Sequence, residues 1–182
     1  NVNLSSMKSL ASEVEKIIER KREYAKEAEA YAAEREAEER RRQCAEAWAQ
    51  SGIPARHQAA IGLRQTAQGP WMDAYQGVRS ELGSGVIVAL LGTRGTGKTQ
   101  LAACLCRDVC DQGRSARYIK AMDLFRQFRE AMKEGKESSA HHQLRGISLL
   151  VIDEAHERGN TDFEDRTLVS LIDHRYDSMR DT

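Results

Sequence analysis

The sequence has no net charge. Its 28 Lys and Arg are cancelled by 28 Asp and Glu across 182 residues, so no global field points to nucleic acid or to a membrane surface. It also lacks a long apolar run and a signal-peptide pattern, so no membrane association is expected and a cytoplasmic protein is. The charge is unevenly spread, however. Residues 112–145 carry eight Lys and Arg against four acids, and residues 153–182 carry nine acids against four Arg. Such blocks are either solvated faces or a means of guiding a polyanion to one side.

Cysteine is scarce, and its spacing excludes a simple metal site. Three of the four, Cys104, Cys106 and Cys110, fall in one helical stretch. Offsets of two and six residues turn them about 200° and 240° from Cys104 around the axis. One zinc ion cannot gather ligands from opposite sides of a helix, so small buried apolar residues are the better reading. Without a secretory signal, reduced thiols are expected.

Glycine and proline are missing altogether from residues 8–48, which predicts one long helix. Leu10, Val14, Ile17, Tyr24, Ala28 and Tyr31 follow alternating four- and three-residue steps, interrupted by Lys21. The same register then meets Arg35, Glu38 and Arg42, and the seam fades. The first half fits a short coiled coil or partner-binding helix, or equally a helix packed on its own domain; the second half fits a solvated charged helix. Residues 1–50 are therefore read as a charged, partner-binding region.

Gly52 and Pro54 end that helix. Residues 51–70 have no clear period and read as a linker lying on the domain that follows, taken as 71–182. There a short helix is expected over 71–82, then an alternation of strands and helices. GVIVALL at 85–91 reads as a strand buried on both faces. A helix should run from about Lys98 to Asp111 and stop at Gly113. Residues 116–119 form a second strand, and Leu124, Phe125, Phe128 and Met132 mark a helix closed by Gly135. ISLLVI at 147–152 is a third strand, and Thr161 with Glu164 is a T-x-x-E capping box opening a last helix. His141 and His142 read as an exposed loop pair. Strand–helix alternation implies an α/β domain with a parallel sheet.

Gly92, Thr93, Arg94, Gly95, Thr96, Gly97, Lys98 and Thr99 satisfy G-x-x-x-x-G-K-[ST] in full. An apolar run precedes the motif and a helix follows, so the glycines turn the backbone N–H groups toward phosphate at a positive helix end. Lys98 suits the β- and γ-phosphates of a nucleoside triphosphate, Thr99 a Mg²⁺ ion, and Gln100 completes the expected cofactor-binding set. Sixty-one residues after Gly92, LLVIDE brings Asp153 and Glu154 to the carboxyl end of a strand, where α/β folds place ligands. Asp153 suits the magnesium shell, and Glu154, with Lys98 the expected catalytic pair, suits polarising a water. ATP and Mg²⁺ are the expected cofactors.

GTRGTGKTQLAACLC, LLVIDEAHERGNTDFED and LVSLIDHRYDSM resemble the AAA+ ATPases of the DnaC/IstB-like group, which comprises helicase loaders and transposase-helper ATPases. SGIPARH at 51–57 resembles the segment leading into that ATPase domain. The resemblance covers roughly 51–182 and implies a P-loop NTPase fold of AAA+ type, ATP-dependent self-assembly, single-stranded DNA and a replicative helicase as partners. It implies that Arg126, Arg129, Lys133, Lys136 and Arg145 lie in an extra helical element basic enough to touch phosphate. It also implies two further strands, a sensor, an arginine finger and a lid that this sequence does not contain. The chain opens at Asn1 rather than Met and stops at Thr182, so a truncated module is expected. Alternatives at this point are a transposase helper, a fragment of a DEAH-type helicase suggested by Asp153-Glu154-Ala155-His156, and a nucleotide-binding adaptor without turnover.

The P-loop assignment alone yields a first prediction. Lys98→Ala should weaken ATP binding by about 2–4 kcal/mol if the ammonium meets desolvated phosphate oxygens. Titration with a fluorescent ATP analogue checks this, and equal affinity of variant and parent would remove the assignment.

Overall fold

The computed structural model describes the backbone of residues 4–159 and 161–182 and, apart from positions 4–12, 14, 15, 17 and 137, their side chains. Two compact units are present, Asn1–Arg42 and Gln43–Thr182. The described residues of the first belong to helix α1, which runs over Leu4–Gln50, as the missing Gly and Pro predict. Its described seam residues are solvated: Tyr24, Ala28 and Tyr31 are all exposed. Leu10, Val14 and Ile17 lie outside the described side chains.

In the second unit α2 (Ala55–Ala59) and α3 (Leu63–Thr66) occupy the segment read as a linker. Both lie along α5 (Lys98–Asp111), as does α4 (Pro70–Glu81). Pro70 sits in the first turn of α4, where its missing N–H costs nothing. The strands are β1 (Ala116–Lys120) and β2 (Leu149–Asp153), parallel and in the register Tyr118↔Val151, Ile119↔Ile152, Lys120↔Asp153. Between them come α6 (Ala121–Lys133) and α7 (Glu137–Arg145), and α8 (Asp162–Asp177) follows.

Strand alternation splits the core into two layers. Ala116, Tyr118 and Leu149 pack with Leu101, Cys104, Leu105, Cys106, Val109 and Cys110 of α5. Ile119 and Leu150 face the other way, onto Leu124, Phe125, Phe128, Leu144 and Leu171 of α6, α7 and α8. A parallel sheet covered on both faces needs this double apolar supply. Cys104, Cys106 and Cys110 are fully buried thiols, as their helical offsets suggest. Burial pushes all three up from the usual thiol range, which keeps them unreactive.

Two sequence expectations need correcting. Residues 85–91 do not form a strand: Ile87 is 40% and Leu91 90% exposed. Among the described residues their backbone-to-backbone bonds outside the segment go to Thr182 alone, through Val88 N to Thr182 O at 2.8 Å and Thr182 N to Val86 O at 2.9 Å. Asp181 in turn bridges to β2, its N–H bonding Ser148 O and its carbonyl taking Leu150 N–H. The spatial order is thus 86–88, 181–182, β2, β1, and a ladder of two bonds is too short for a strand. His141 and His142 lie within α7, and the half-buried ring of His141 tilts against Phe128 at 4.4 Å.

Arg175 explains how the 178–182 segment is held. It is fully buried and donates to Leu144 O (2.8 Å), Ile147 O (2.9 Å), Ser148 O (3.5 Å), Thr182 Oγ1 (2.7 Å) and Asp181 O. The Asp181 carboxylate takes N–H bonds from Gly83, Gly85 and Val86 and pairs with Arg114. A Cβ at Gly85, whose φ is +78°, would meet the Met179 Cα at 2.6 Å, so only glycine lets the segments touch. Burial, helped by Arg180 and opposed by Asp181, pushes Arg175 down to about 10, still charged at neutral pH. Arg175→Leu should therefore take this donor from the Leu144 and Ile147 carbonyls and leave Ser148 O and Asp181 O with one backbone donor each, at a cost of about 3 kcal/mol or more. Urea unfolding of the two proteins measures it, and a loss below about 1 kcal/mol would mean that water replaces the guanidinium.

Candidate functional site

The loop between residue 91 and α5 is shaped by glycines, and Gly97 shows why. It adopts φ 85° directly before the first helical residue, and a Cβ there would lie 2.9 Å from the Trp71 indole nitrogen. That indole donates to Gly97 O at 3.3 Å and stacks on Tyr75. The loop is therefore pressed against α4 from behind. Among the described residues, nothing accepts the backbone N–H groups of 93–98. Unpaired donors converging at a helix N-terminus are the physical requirement for binding phosphate.

Lys98 folds back over this loop. Its ammonium lies 2.8 Å from Gly92 O, 2.7 Å from Thr93 O and 3.4 Å from Thr96 Oγ1. These exposed contacts hold the charge above the cradle. Thr99, one residue on, donates its hydroxyl to Asp153 Oδ2 at 2.8 Å. This bond joins the P-loop helix to the end of β2, bringing together the two motifs separated by 61 positions.

Asp153 collects three donors. Thr99 and Tyr118 each reach Oδ2 at 2.8 Å, and Glu154 N–H reaches Oδ1 at 2.8 Å. Burial pulls its pKa upward, but the bonds from Tyr118, Thr99 and Glu154, with the charge of Lys120, overcome this and hold it below the usual carboxylate range. The carboxylate is thus kept anionic. Glu154 leaves the strand at φ 54°, a left-handed conformation costly for a residue with a Cβ. Its Oε2 pairs with Lys120 Nζ at 2.7 Å, and that contact raises the lysine above its ordinary range.

Gln100 stands apart from the rest of the predicted set. Its side chain is buried, with Oε1 2.9 Å from His57 Nδ1 and Nε2 donating to His57 O and Ala60 O. The amide fastens α2 to α5 and is not free for a ligand. Arg94 is exposed on the loop.

The basic residues of the extra helical element are largely neutralised. Arg126 pairs with Asp123, Lys136 with Glu134, and Arg129 with the buried Glu164. Lys133 and Arg145 carry no ion pair among the described residues. Sequence reasoning missed the Asp108 cluster. That carboxylate, buried in α5, takes Arg64, Arg79 and the Tyr75 hydroxyl. An acid in an apolar helix face was the available signal.

A family profile described as "IstB-like ATP binding protein" matches residues 83–180, more than half of the sequence and all of the site. The chain belongs to that family. It is 29% identical over 93 residues to the replicative helicase loader DnaC of Escherichia coli strain K12. The match covers 50% of this chain and 38% of the loader, and DnaC of Shigella flexneri gives the same figures. The chain thus matches well under half the length of these relatives. AMPPCP-bound DnaA from Aquifex aeolicus superposes with a TM-score of 0.54 at 18% identity, over 65% of this chain and 36% of that one. At that identity the likeness establishes the AAA+ P-loop NTPase fold.

Gly97→Ala should combine left-handed strain of about 1–2 kcal/mol with the indole clash. We expect a lower melting temperature and nucleotide binding weakened by about tenfold or more, because the loop must shift. Scanning calorimetry and analogue titration check both, and parental behaviour would show that the loop does not need this conformation.

Proposed function

We propose that this IstB-like protein binds ATP with Mg²⁺ between the P-loop and the acidic end of β2, hydrolyses it, and serves in loading a replicative helicase onto single-stranded DNA. The observation that supports this reading most is the Thr99–Asp153 bond, since it joins a hydroxyl and a carboxylate suited to a cation at the end of the loop whose amides have no partner among the described residues. The loading role rests on the likeness to DnaC.

Each residue has a distinct part. The N–H groups of 93–98 and the Lys98 ammonium hold the phosphates, and lysine must leave Gly92 O and Thr93 O to do so. Thr99 and Asp153 hold the cation, directly or through water. Bound Mg²⁺ would neutralise charge developing on the phosphate oxygens. Glu154 orients the attacking water once it parts from Lys120, and in that pairing it is held away from a base's task.

A further positive charge on the γ-phosphate is needed for fast turnover. Arg175 does not supply it, because its guanidinium is buried on backbone carbonyls. A neighbouring subunit is the natural source, so activity depends on self-assembly. Residues 1–50 offer the helicase a docking helix, and Lys133 and Arg145 are the cations left for a DNA strand.

A second reading, an ATPase helper of a transposase, is favoured by the family profile itself. The DEAH tetrapeptide lies inside the matched stretch and has no separate support.

Glu154→Gln should keep ATP and Mg²⁺ bound while turnover falls by about 100-fold or more. Asp153→Asn should instead raise the magnesium requirement. Equal loss of binding in both would make Glu154 structural. Capture of a replicative helicase, lost on deleting residues 1–50, supports loading; capture of a transposase in its place would favour the helper.

A further inference from the structure

Tyr118 lies in β1, two residues before the end of the strand, and its side chain shares a sheet face with Asp153 across the β1–β2 register. It is 6% exposed, so its ring belongs to the core beneath α5. Its hydroxyl nevertheless does not end in apolar surroundings. It donates to Asp153 Oδ2 at 2.8 Å, on the same oxygen that Thr99 reaches at 2.8 Å.

Counting acceptor sites shows what this arrangement does. A carboxylate has about four lone-pair positions, two on each oxygen. On Oδ2 both are taken, by Tyr118 and Thr99. On Oδ1 one is taken by Glu154 N–H, leaving a single position. Asp153 thus cannot rotate without breaking three bonds, and its remaining acceptor capacity points one way.

The backbone of Tyr118 is fixed just as closely. Its N–H donates to Ser51 O at 2.7 Å, and a Cβ on Gly52 would meet Tyr118 O at 2.9 Å. Ser51 is fully buried and Ile53 nearly so, so residues 51–53 clamp the free edge of β1 at this residue.

We propose that Tyr118 is a positioning residue for the divalent cation: its hydroxyl orients the Asp153 carboxylate, and the Ser51-Gly52 clamp sets where that hydroxyl stands. This inference rests on the nucleotide–magnesium reading of the site and adds a determinant that the P-loop and β2 motifs do not contain. A purely packing aromatic needs only its ring at this place, and phenylalanine would serve as well.

Tyr118→Phe in the full chain separates the two roles. A fluorescent ATP analogue is titrated at a series of Mg²⁺ concentrations and again in excess EDTA, and thermal melting is followed by far-UV circular dichroism. The Mg²⁺ concentration giving half of the cation-dependent gain in affinity should rise by about tenfold, the usual scale for losing an outer partner of a metal ligand. Affinity in EDTA should match the parent. Asp153→Asn should raise the midpoint on its own, and adding Tyr118→Phe to it should shift it little further, since the hydroxyl then has no carboxylate to orient. An unchanged midpoint overturns the proposal, as does an equal loss of affinity with and without magnesium. If the single variant melts too low to titrate, Tyr118 is structural and the proposal falls. A parent that binds the analogue with no response to Mg²⁺ counts against the site reading itself. A parent that responds while Tyr118→Phe behaves identically rejects only the role of Tyr118.

Discussion

One carboxylate joins the parts of this domain that have to meet. Asp153 ends β2, and through its three donors it ties together the P-loop helix, the neighbouring strand and the turn that follows it. Held anionic and half-buried, it is a strong acceptor, and hydrogen bonds to charged groups are worth about 1.5–3 kcal/mol each. The same bonds that stabilise the junction also aim it. Packing supplies the frame: α5 fills one face of the sheet with small side chains and thiols, allowing the helix to sit close enough for Thr99 to reach across. A bulkier residue at Ala103 or Cys106, both fully buried, would lift the helix and lengthen that bond.

What could be read from the sequence followed from local causes. Helix α5 has the bounds expected because a P-loop opens it and Gly113 closes it. The capping box is half realised: Thr161 Oγ1 accepts Glu164 N–H at 3.3 Å, but the Glu164 carboxylate turns to Arg129 instead of back to the cap. Failures came where partners lie far apart along the chain. An apolar run such as 85–91 says that burial is wanted, whereas strand formation requires a neighbour to pair with, and among the described residues Thr182 alone supplies one. Helix α7 has a polar sequence with weak periodicity. It is held by Leu144 in the core and by His141 on Phe128, neither of which a local pattern reveals. The Tyr118–Asp153 contact depends on register, which periodicity does not encode.

Charge blocks in the sequence do not say which of their cations are already paired. In the basic stretch after β1, three cations pair with nearby acids. Arg126–Asp123 and Lys136–Glu134 are exposed pairs, of little energetic weight and easily exchanged for a phosphate. Arg129 differs, because removing it would strand the buried Glu164 carboxylate. The block is therefore part scaffold and part surface, and only neighbours in space decide which residue is which.

Lys98 and Glu154, the two groups most directly suited to chemistry, are both engaged with the protein itself. Lys98 rests on two loop carbonyls, and Glu154 on Lys120. Lys120 is exposed and Lys98 and Glu154 are partly so, so each contact is modest and can be given up. Phosphate oxygens would compete for Lys98 with full negative charge, against carbonyl dipoles, and should win readily. Glu154 faces a harder exchange, since a neutral water offers less than an ammonium. Release of Glu154 therefore calls for something that draws Lys120 away, and an anion near the end of β1 has the charge to do it. The strained backbone at Glu154 acts in the same direction, because a φ of 54° in a non-glycine residue makes its present conformation less favourable to keep. On the proposed reading, binding and activation of the base are separate events: the first is governed by a lysine with weak local partners, the second by the ion pair with Lys120.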